Sequence, residues 1–361
     1  MSDEEVRSYL TEERQAYVIV GGRHQFFPKR ELDTIEYSIE ETYQGLYQEL
    51  REYLSKPRKG QPSKPLANEL TYARYGLWHY VIKDKQQREP YASLQRAGAN
   101  LRGLIRVLLF KRFESSVYAF KETVRRLLRV HESFLTALDQ SIVPAGQDAQ
   151  TILYESDYAE ETDLLDALRE VSTRYDAADF DLERLREHIA HDIQLLQKIL
   201  VLVAPITPAQ DAKLQTLRQR LADKPLKDGK RLIFTQYADT ARYLFEHLNP
   251  GGKRDDIDVI YSGDKSKARV VGRFAPKANP EYRFQTNESE LFTVIATDVL
   301  AEGLNLQDCD KIINYDLHWN PVRLIHRKST ILLKRTRKSL TAQSNLTKRR
   351  CTPFTKRRAD S

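Results

Sequence analysis

From residue 66 to 222 apolar side chains return at helical spacing almost without interruption. Leu101, Leu104, Ile105, Leu108 and Leu109 stand at i, i+3, i+4, i+7 and i+8, and Val124, Leu127, Leu128, Phe134, Leu135 and Leu138 continue the period. Leu185, Ile189, Ile193, Leu196, Leu200 and Val203 mark another long helix that ends before Pro205 and Pro208, and Leu214, Leu217 and Leu221 make a short one. The spacing predicts an all-helical region. Ahead of it, residues 1–38 are mixed in texture, and Glu31 to Ile39 alternates loosely and reads as one strand. Ser38 suits the N-cap of a helix carrying Ile39, Tyr43, Leu46, Tyr47, Leu50 and Leu54. Three prolines and a glycine between Lys56 and Pro65 predict an exposed loop.

At residue 230 the texture changes. Short apolar runs at Arg231–Tyr237, Ile257–Tyr261, Phe292–Ala296 and Lys311–Tyr315 are separated by longer stretches, the first of them a helix-like Thr240–Leu248. Apolar strands alternating with helices in this way predict a parallel sheet covered on both faces. Each run ends in polar residues, where such sheets place their ligands.

Composition adds a division of charge. The 361 residues carry 58 Lys and Arg against 51 Asp and Glu, a formal +7, yet residues 327–361 alone hold 12 basic residues and one acid, Asp360. The rest of the chain is therefore slightly acidic, at −4. The basic balance belongs to the C-terminal stretch and says nothing about the folded body. A length of 361 residues at 40% hydrophobic content excludes wholesale disorder and suggests two or three domains. Two cysteines, Cys309 and Cys351, make neither a disulfide framework nor a cysteine zinc site and point to a reducing compartment. No apolar run approaches the roughly 18–20 residues of a membrane span, and Met1–Val6 has no signal-peptide character, so a cytoplasmic protein without membrane association is expected.

Several patterns carry no chemistry. Gly263-Asp264-Lys265-Ser266 has Asp264 where a phosphate-cradling loop needs its second glycine, and Asp3-Glu4-Glu5 follows no strand that would make it a magnesium-binding box. His188 and His191, with Asp192 alongside, lack the further ligands that a metal needs and read as a surface pair; no metal site is expected. The acids from Glu155 to Asp166 read as a solvated face, and the tyrosines between 17 and 91 as packing residues.

The informative stretch is 294–322. One apolar strand ends at Thr297-Asp298, short polar groups suited to a phosphate or a ribose. Gly303 then permits close backbone approach, and Asn305 can both donate and accept hydrogen bonds. A second strand ends at Asp316, followed by Trp319-Asn320-Pro321.

This stretch resembles motif V of superfamily-two helicases, and Asp-x-x-Trp-Asn-Pro resembles the version of the Swi/Snf-type DNA translocases, here the bacterial ones. Arg231–Tyr237 is similar to their motif IV, and Tyr261-Ser262-Gly263 to the turn after the next strand. Leu108–Ser116 resembles their helical insertion. The resemblance, spanning about 30–327, implies an α/β fold: a RecA-like parallel-sheet lobe of the P-loop NTPase type, the second helicase lobe, with a large helical insertion. It implies residues 1–55 as linker with a first strand and helix, 56–222 as the helical insertion, 223–327 as the helicase C-terminal lobe and 328–361 as a disordered basic tail. ATP and magnesium would be held mainly by a first lobe, which the sequence lacks. Gly303, Asn305 and Arg327 would lie at the nucleotide, Thr297 on a DNA phosphate, and Gln236, Ser262 and Gly263 along the DNA-tracking surface.

The sequence departs from the family where motif VI should begin. It reads His326-Arg327-Lys328-Ser329-Thr330-Ile331-Leu332-Leu333, so the arginine-finger positions are Thr330 and Leu333. Such a finger is worth about 10³–10⁵ in rate in related phosphoryl-transfer enzymes. No catalytic residue is then intact. A truncated or frame-shifted motor fragment, inactive alone, acting on double-stranded DNA and open to completion by a separately encoded first lobe, is one reading. The other is a non-catalytic nucleic-acid or protein-binding module that uses the helical region and basic tail.

Overall fold

Alternation along four short strands sets the layers of the molecule. The computed structural model describes residues 17–20, 23–26, 30–54, 63–146, 148, 170, 175–261, 266–297, 306, 308–316 and 337–344. In chain order these form β1 (Tyr17–Val20), β2 (Arg23–Phe26), β3 (Arg30–Tyr37), α1 (Ile39–Tyr43), α2 (Leu46–Tyr53), α3 (Tyr91–Ser115), α4 (Val117–Asp139), α5 (Leu182–Val203) and α6 (Ala212–Ala222). There follow β4 (Arg231–Phe234), α7 (Ala238–Leu248), β5 (Ile257–Ile260), α8 (Lys267–Phe274), β6 (Thr293–Ala296), β7 (Lys311–Asn314) and β8 (Arg337–Ser344). The main sheet has the order β3-β8-β7-β4-β6-β5 with every pairing parallel, while β1 and β2 make a separate antiparallel pair.

Successive side chains on a strand point to opposite faces. Leu232, Phe234, Val294, Ala296 and Ile312 accordingly pack with Val270, Val271 and Phe274 of α8. Ile233, Ile295 and Ile313 pack on the other face with Leu214 and Leu217 of α6 and Ala241 and Leu244 of α7. Both faces are covered, which is why the strands read as continuous apolar runs. The sheet is the expected RecA-like α/β lobe.

The helical region has cores of its own. α4 buries Phe120, Val124, Leu127 and Phe134, and α5 buries Leu185, Ile189, Leu196 and Ile199. In α3 the buried face runs through Leu94, Arg102, Leu109 and Phe113, so Leu104, placed by the spacing on the apolar stripe, is instead 61% exposed. α3 and α4 are separated at Ser116, whose extended backbone (φ −159°, ψ 151°) breaks the helix and whose hydroxyl accepts the Ala119 N–H at 3.1 Å.

The boundaries differ from the sequence reading in several places. Ser38 caps α1 by accepting the Glu41 N–H at 3.1 Å, but the helix ends after one turn because Gln44 (φ 50°) and Gly45 (φ 89°) are left-handed. Tyr43, Leu50 and Tyr53 of α1 and α2 join the core of α3, α4 and α5. α6, assigned to the insertion, lies on the sheet instead, because its Leu214 and Leu217 find apolar partners there. Residues 337–344, read as part of a disordered tail, form β8 between β3 and β7. Parallel pairing is made by backbone N–H and C=O groups, which a basic composition does not remove.

His188 and Asp192 are a further correction to the sequence reading. His188, read as one of a surface pair with His191, is buried at 0% exposure, as is the neighbouring Asp192 at 1%, while His191 is half-buried. His188 Nδ1 sits 2.6 Å from the Tyr80 hydroxyl, His191 Nε2 lies 3.1 Å from the Glu69 carbonyl, and Asp192 accepts from the Thr71 N–H at 2.7 Å and its hydroxyl at 2.9 Å. The three side chains serve three different partners. Among the described residues no group of three or more His, Cys, Asp or Glu is placed to hold a metal, and no helix is long and apolar enough to cross a membrane.

Candidate functional site

The ladder continues one residue past each central strand, which brings polar residues together at the carboxyl edge of the sheet. Thr235 N–H donates to the Ala296 carbonyl at 3.0 Å, Thr297 N–H to Ile260 at 3.2 Å, and Tyr315 N–H to Phe234 at 2.8 Å. Thr235, Gln236, Thr297 and Asp316 therefore share one edge, in a position where α/β folds collect ligands. Thr297 is 7% exposed and its hydroxyl is buried with no hydrogen-bond partner among the described residues. An orphaned donor of this kind is costly unless something else satisfies it.

Asp316 is the hub of the edge. Its Oδ2 accepts from the Thr235 hydroxyl at 2.5 Å, the Ser115 hydroxyl at 2.8 Å and the Gln236 N–H at 3.1 Å, and its Oδ1 from Lys213 Nζ at 2.9 Å. The Lys213 ammonium also donates to the carbonyls of Glu114 and Ser115, both at 3.1 Å. All three ammonium protons are thus used, two of them on carbonyls at the C-terminal end of α3, where the helix dipole favours a cation. Lys213 Nζ stands 4.0 Å from the centre of the Tyr315 ring.

Burial alone would push the Asp316 carboxyl up; the Lys213 charge and the hydrogen bonds from Thr235, Lys213 and the Gln236 N–H outweigh it and hold the carboxyl below its ordinary range. Burial likewise disfavours the charged form of Lys213, but Asp316 overcomes this and raises the ammonium above its usual value. Both groups stay ionised. A carboxylate committed to four donors and held ionised is not a general base for a substrate proton; its work is to fix its neighbours.

A second set of contacts reaches the same turn. Ser115 spends its proton on Asp316, so the Thr240 hydroxyl donates to Ser115 at 2.7 Å, and Ser116 donates to Thr240 at 3.0 Å. Arg112 donates to Asp239 at 2.5 Å and lays its guanidinium 4.0 Å from the centre of the Tyr237 ring. The turn from Thr235 to Thr240 is held on two sides by the α3–α4 elbow.

Of the residues singled out from the sequence, the structure brings Gln236, Thr297 and Asp316 to one edge. Ser262, Gly263, Gly303, Asn305, Trp319, Asn320, Pro321, Arg327, Thr330 and Leu333 lie outside the described residues. Lys213, Arg112 and Thr240 do not stand out in the sequence. The available signal is slight: a lysine beside Leu214 on the face that Leu217 continues, and two adjacent serines closing a long helical pattern.

Residues 212–329 match the helicase conserved C-terminal domain. The chain is 25% identical over 284 residues to the ATP-dependent RNA helicase ROK1 of Saccharomyces cerevisiae (strain YJM789), covering 74% of this chain and 46% of that protein. It is 34% identical over 100 residues to the uncharacterized ATP-dependent helicase YqhH of Bacillus subtilis, covering 28% of this chain and 16% of that one. It therefore spans less than half the length of these curated relatives. Among solved structures it is similar to the C-terminal part of the Fun30 ATPase domain, with a TM-score of 0.38 and 12% identity over 89% of this chain and 86% of that one.

Proposed function

We propose, from the helicase conserved C-terminal domain that residues 212–329 carry, that the chain is the second motor lobe of an ATP-dependent translocase of the Swi/Snf type, acting on double-stranded DNA. The observation that carries the reading is the shared edge: Gln236 and Thr297 end adjacent parallel strands, and the Thr297 hydroxyl is buried there without a partner among the described residues. A phosphate oxygen satisfies such a donor, and phosphate contacts hold a strand without reading its sequence. The Asp316-x-x-Trp319-Asn320-Pro321 pattern supports the Swi/Snf assignment and DNA as the track.

The nucleotide needs a partner lobe. The 361 residues contain no G-x-x-x-x-G-K-[ST] sequence, so the phosphates of ATP and its magnesium would be cradled by a lobe that carries one. Bound there, ATP supplies the phosphoryl transfer that drives movement. This chain would contribute the Thr297 edge, with Gly303, Asn305 and Arg327 toward the nucleotide and Ser262 and Gly263 along the DNA. The protein works in the cytoplasm in this reading.

The names of the curated relatives favour a second reading, a track of RNA. Fluorescence anisotropy with labelled duplex DNA and with labelled RNA of the same sequence separates the two. DNA binding that weakens in Gln236→Ala and Thr297→Ala supports the DNA reading. Preference for RNA, with both substitutions acting on RNA alone, replaces it. Binding that disappears with residues 345–361 and ignores both substitutions indicates a module that binds through its basic end.

A further inference from the structure

The turn that carries Gln236 is built less by its own strand than by the helical region. We infer that Arg112, Ser115 and Ser116 of the α3–α4 elbow, together with Lys213, are positioning residues for the Thr235–Thr240 turn, so that the helical region sets the geometry of the nucleic-acid edge. The identity of the ligand rests on the reading given under Proposed function; the positioning itself rests on contacts within the chain.

A turn between a strand and a helix ordinarily relies on the cap of that helix. α7 has no side-chain cap: Tyr237 stands at its N-cap position and makes no side-chain hydrogen bond to the first turn. Within the turn the Thr235 hydroxyl oxygen accepts the Tyr237 N–H at 3.4 Å, and the remaining contacts come from outside. Asp316 accepts the Gln236 N–H at 3.1 Å, and that carboxylate is itself held by Ser115 and by Lys213, whose other two protons clasp the end of α3. Thr240, in the first turn of α7, bonds both serines of the elbow. Asp239 pairs with Arg112 of α3, and Arg126 of α4 stands 3.7 Å away from it. Tyr237 lies under the Arg112 guanidinium. Backbone N–H, ring, carboxylate and hydroxyl of four residues in one short turn are each gripped through the helical region or through the carboxylate it holds.

The consequence is directional. A displacement of the elbow relative to the sheet moves Gln236, while the central strands, which pair with one another, are left in register. A planar guanidinium stacked on a ring is not replaced by an ammonium of equal charge, so Arg112→Lys removes the stack and keeps the charge for Asp239. Ser115→Ala removes one donor to Asp316 and the acceptor of the Thr240 hydroxyl.

The test uses the full chain in three forms: unaltered, Arg112→Lys and Ser115→Ala, with Gln236→Ala as a reference. Amide hydrogen exchange is read at 235–240 and at 293–296, and duplex DNA affinity is read against salt. The expected result is exchange at 235–240 faster by about tenfold in both variants with 293–296 unchanged, since local opening need not involve the global core. Affinity should fall with it while the slope of log K against log salt stays as it is, because Gln236 is neutral and releases no counterion. A merely structural role would speed exchange at both segments together, which overturns the inference. Unchanged exchange at 235–240 overturns it, as does faster exchange there with affinity intact. If the unaltered chain ignores duplex, or Gln236→Ala binds as tightly as the unaltered chain, the underlying DNA reading fails; the exchange data still decide whether the elbow holds the turn.

Discussion

Lys213 Nζ and Asp316 Oδ1 stand 2.9 Å apart with side chains only 6% and 8% exposed, one from the first turn of α6 and the other just beyond β7. Removing two charges from water costs several kcal/mol each, and attraction repays this only when every remaining donor and acceptor is satisfied. Here Lys213 fills all three of its donors and Asp316 accepts four hydrogen bonds.

Breaking the pair from one side should therefore be expensive. Lys213→Met or Asp316→Leu leaves a buried charge alone, and each should lower stability by about 3–5 kcal/mol. The double substitution should cost far less than the sum of the two. Urea unfolding of the four proteins reads the difference directly, and additive losses would show that the two residues do not act on each other.

Asp192 should make the helical region sensitive to pH. Burial raises its carboxyl to about 7, against the hydrogen bonds from Thr71 that lower it. A carboxyl raised in the folded state contributes stability that is full below its unfolded value, near 4, and is lost as pH rises toward 7. Unfolding followed by circular dichroism from about pH 4 to pH 8 should show this decline, on the order of 4 kcal/mol at most, and Asp192→Asn should flatten it. Asp316 acts with the opposite sign: its carboxyl is held low, so its contribution is present above the unfolded value and fades as pH falls through the folded one.

How much of this is legible in the sequence depends on whether backbone or side-chain logic decides it. The strands β4, β6 and β7 fall where apolar runs place them, because a strand buried on both faces has no freedom in its composition, and β5, at the sheet edge, still buries Ile257 and Ile260. Gln236 and Thr297 can be placed at a strand end for the same reason. The Lys213–Asp316 pair cannot, since residues 103 apart in sequence meet only once α6 and β7 have been folded against each other. The stretch 39–54 reads as one continuous helix because its apolar spacing persists through Gln44 and Gly45, while a left-handed pair of residues interrupts the backbone. β8 escapes because Arg337-Lys338-Ser339-Leu340 has no strand-like alternation of its own; its place is made by the strands on either side.

Gly229 should not tolerate a side chain. Its φ is +76°, and a Cβ built there would collide with Asp310 Oδ2, whose carboxylate partner oxygen accepts the Lys230 N–H at 2.7 Å. Gly229→Ala should cost about 1–3 kcal/mol through backbone strain and displacement of that carboxylate, measured as a fall in the midpoint of chemical unfolding. A neutral result would mean that the turn ahead of β4 relaxes freely.

The purified chain should show no ATP hydrolysis above a buffer control, with or without DNA, because it contains no G-x-x-x-x-G-K-[ST] sequence and, in the proposed reading, Thr330 and Leu333 stand where arginine fingers would be needed. A phosphate-release assay decides it. Turnover that follows this polypeptide through purification and responds to DNA would refute the division of labour between two lobes.

β8 sits between β3 and β7, and its register pairs Arg30 with Arg337 and Lys311 with Lys338. A ribosome emits β3 some three hundred residues before the strand that completes its pairing, at a pace of about 5–20 residues per second. For all that interval β3 presents a raw backbone edge, and β7, once Asn314 has been added, presents another until Arg337–Ser344 follows; such edges are templates for pairing with any other extended chain. The helical region can assemble during the wait from contacts close in sequence, whereas the sheet must stay open until the last strand arrives. The nascent protein is therefore at risk of self-association until β8 has been added, and a chaperone that guards strand edges would help it more than one that guards helices.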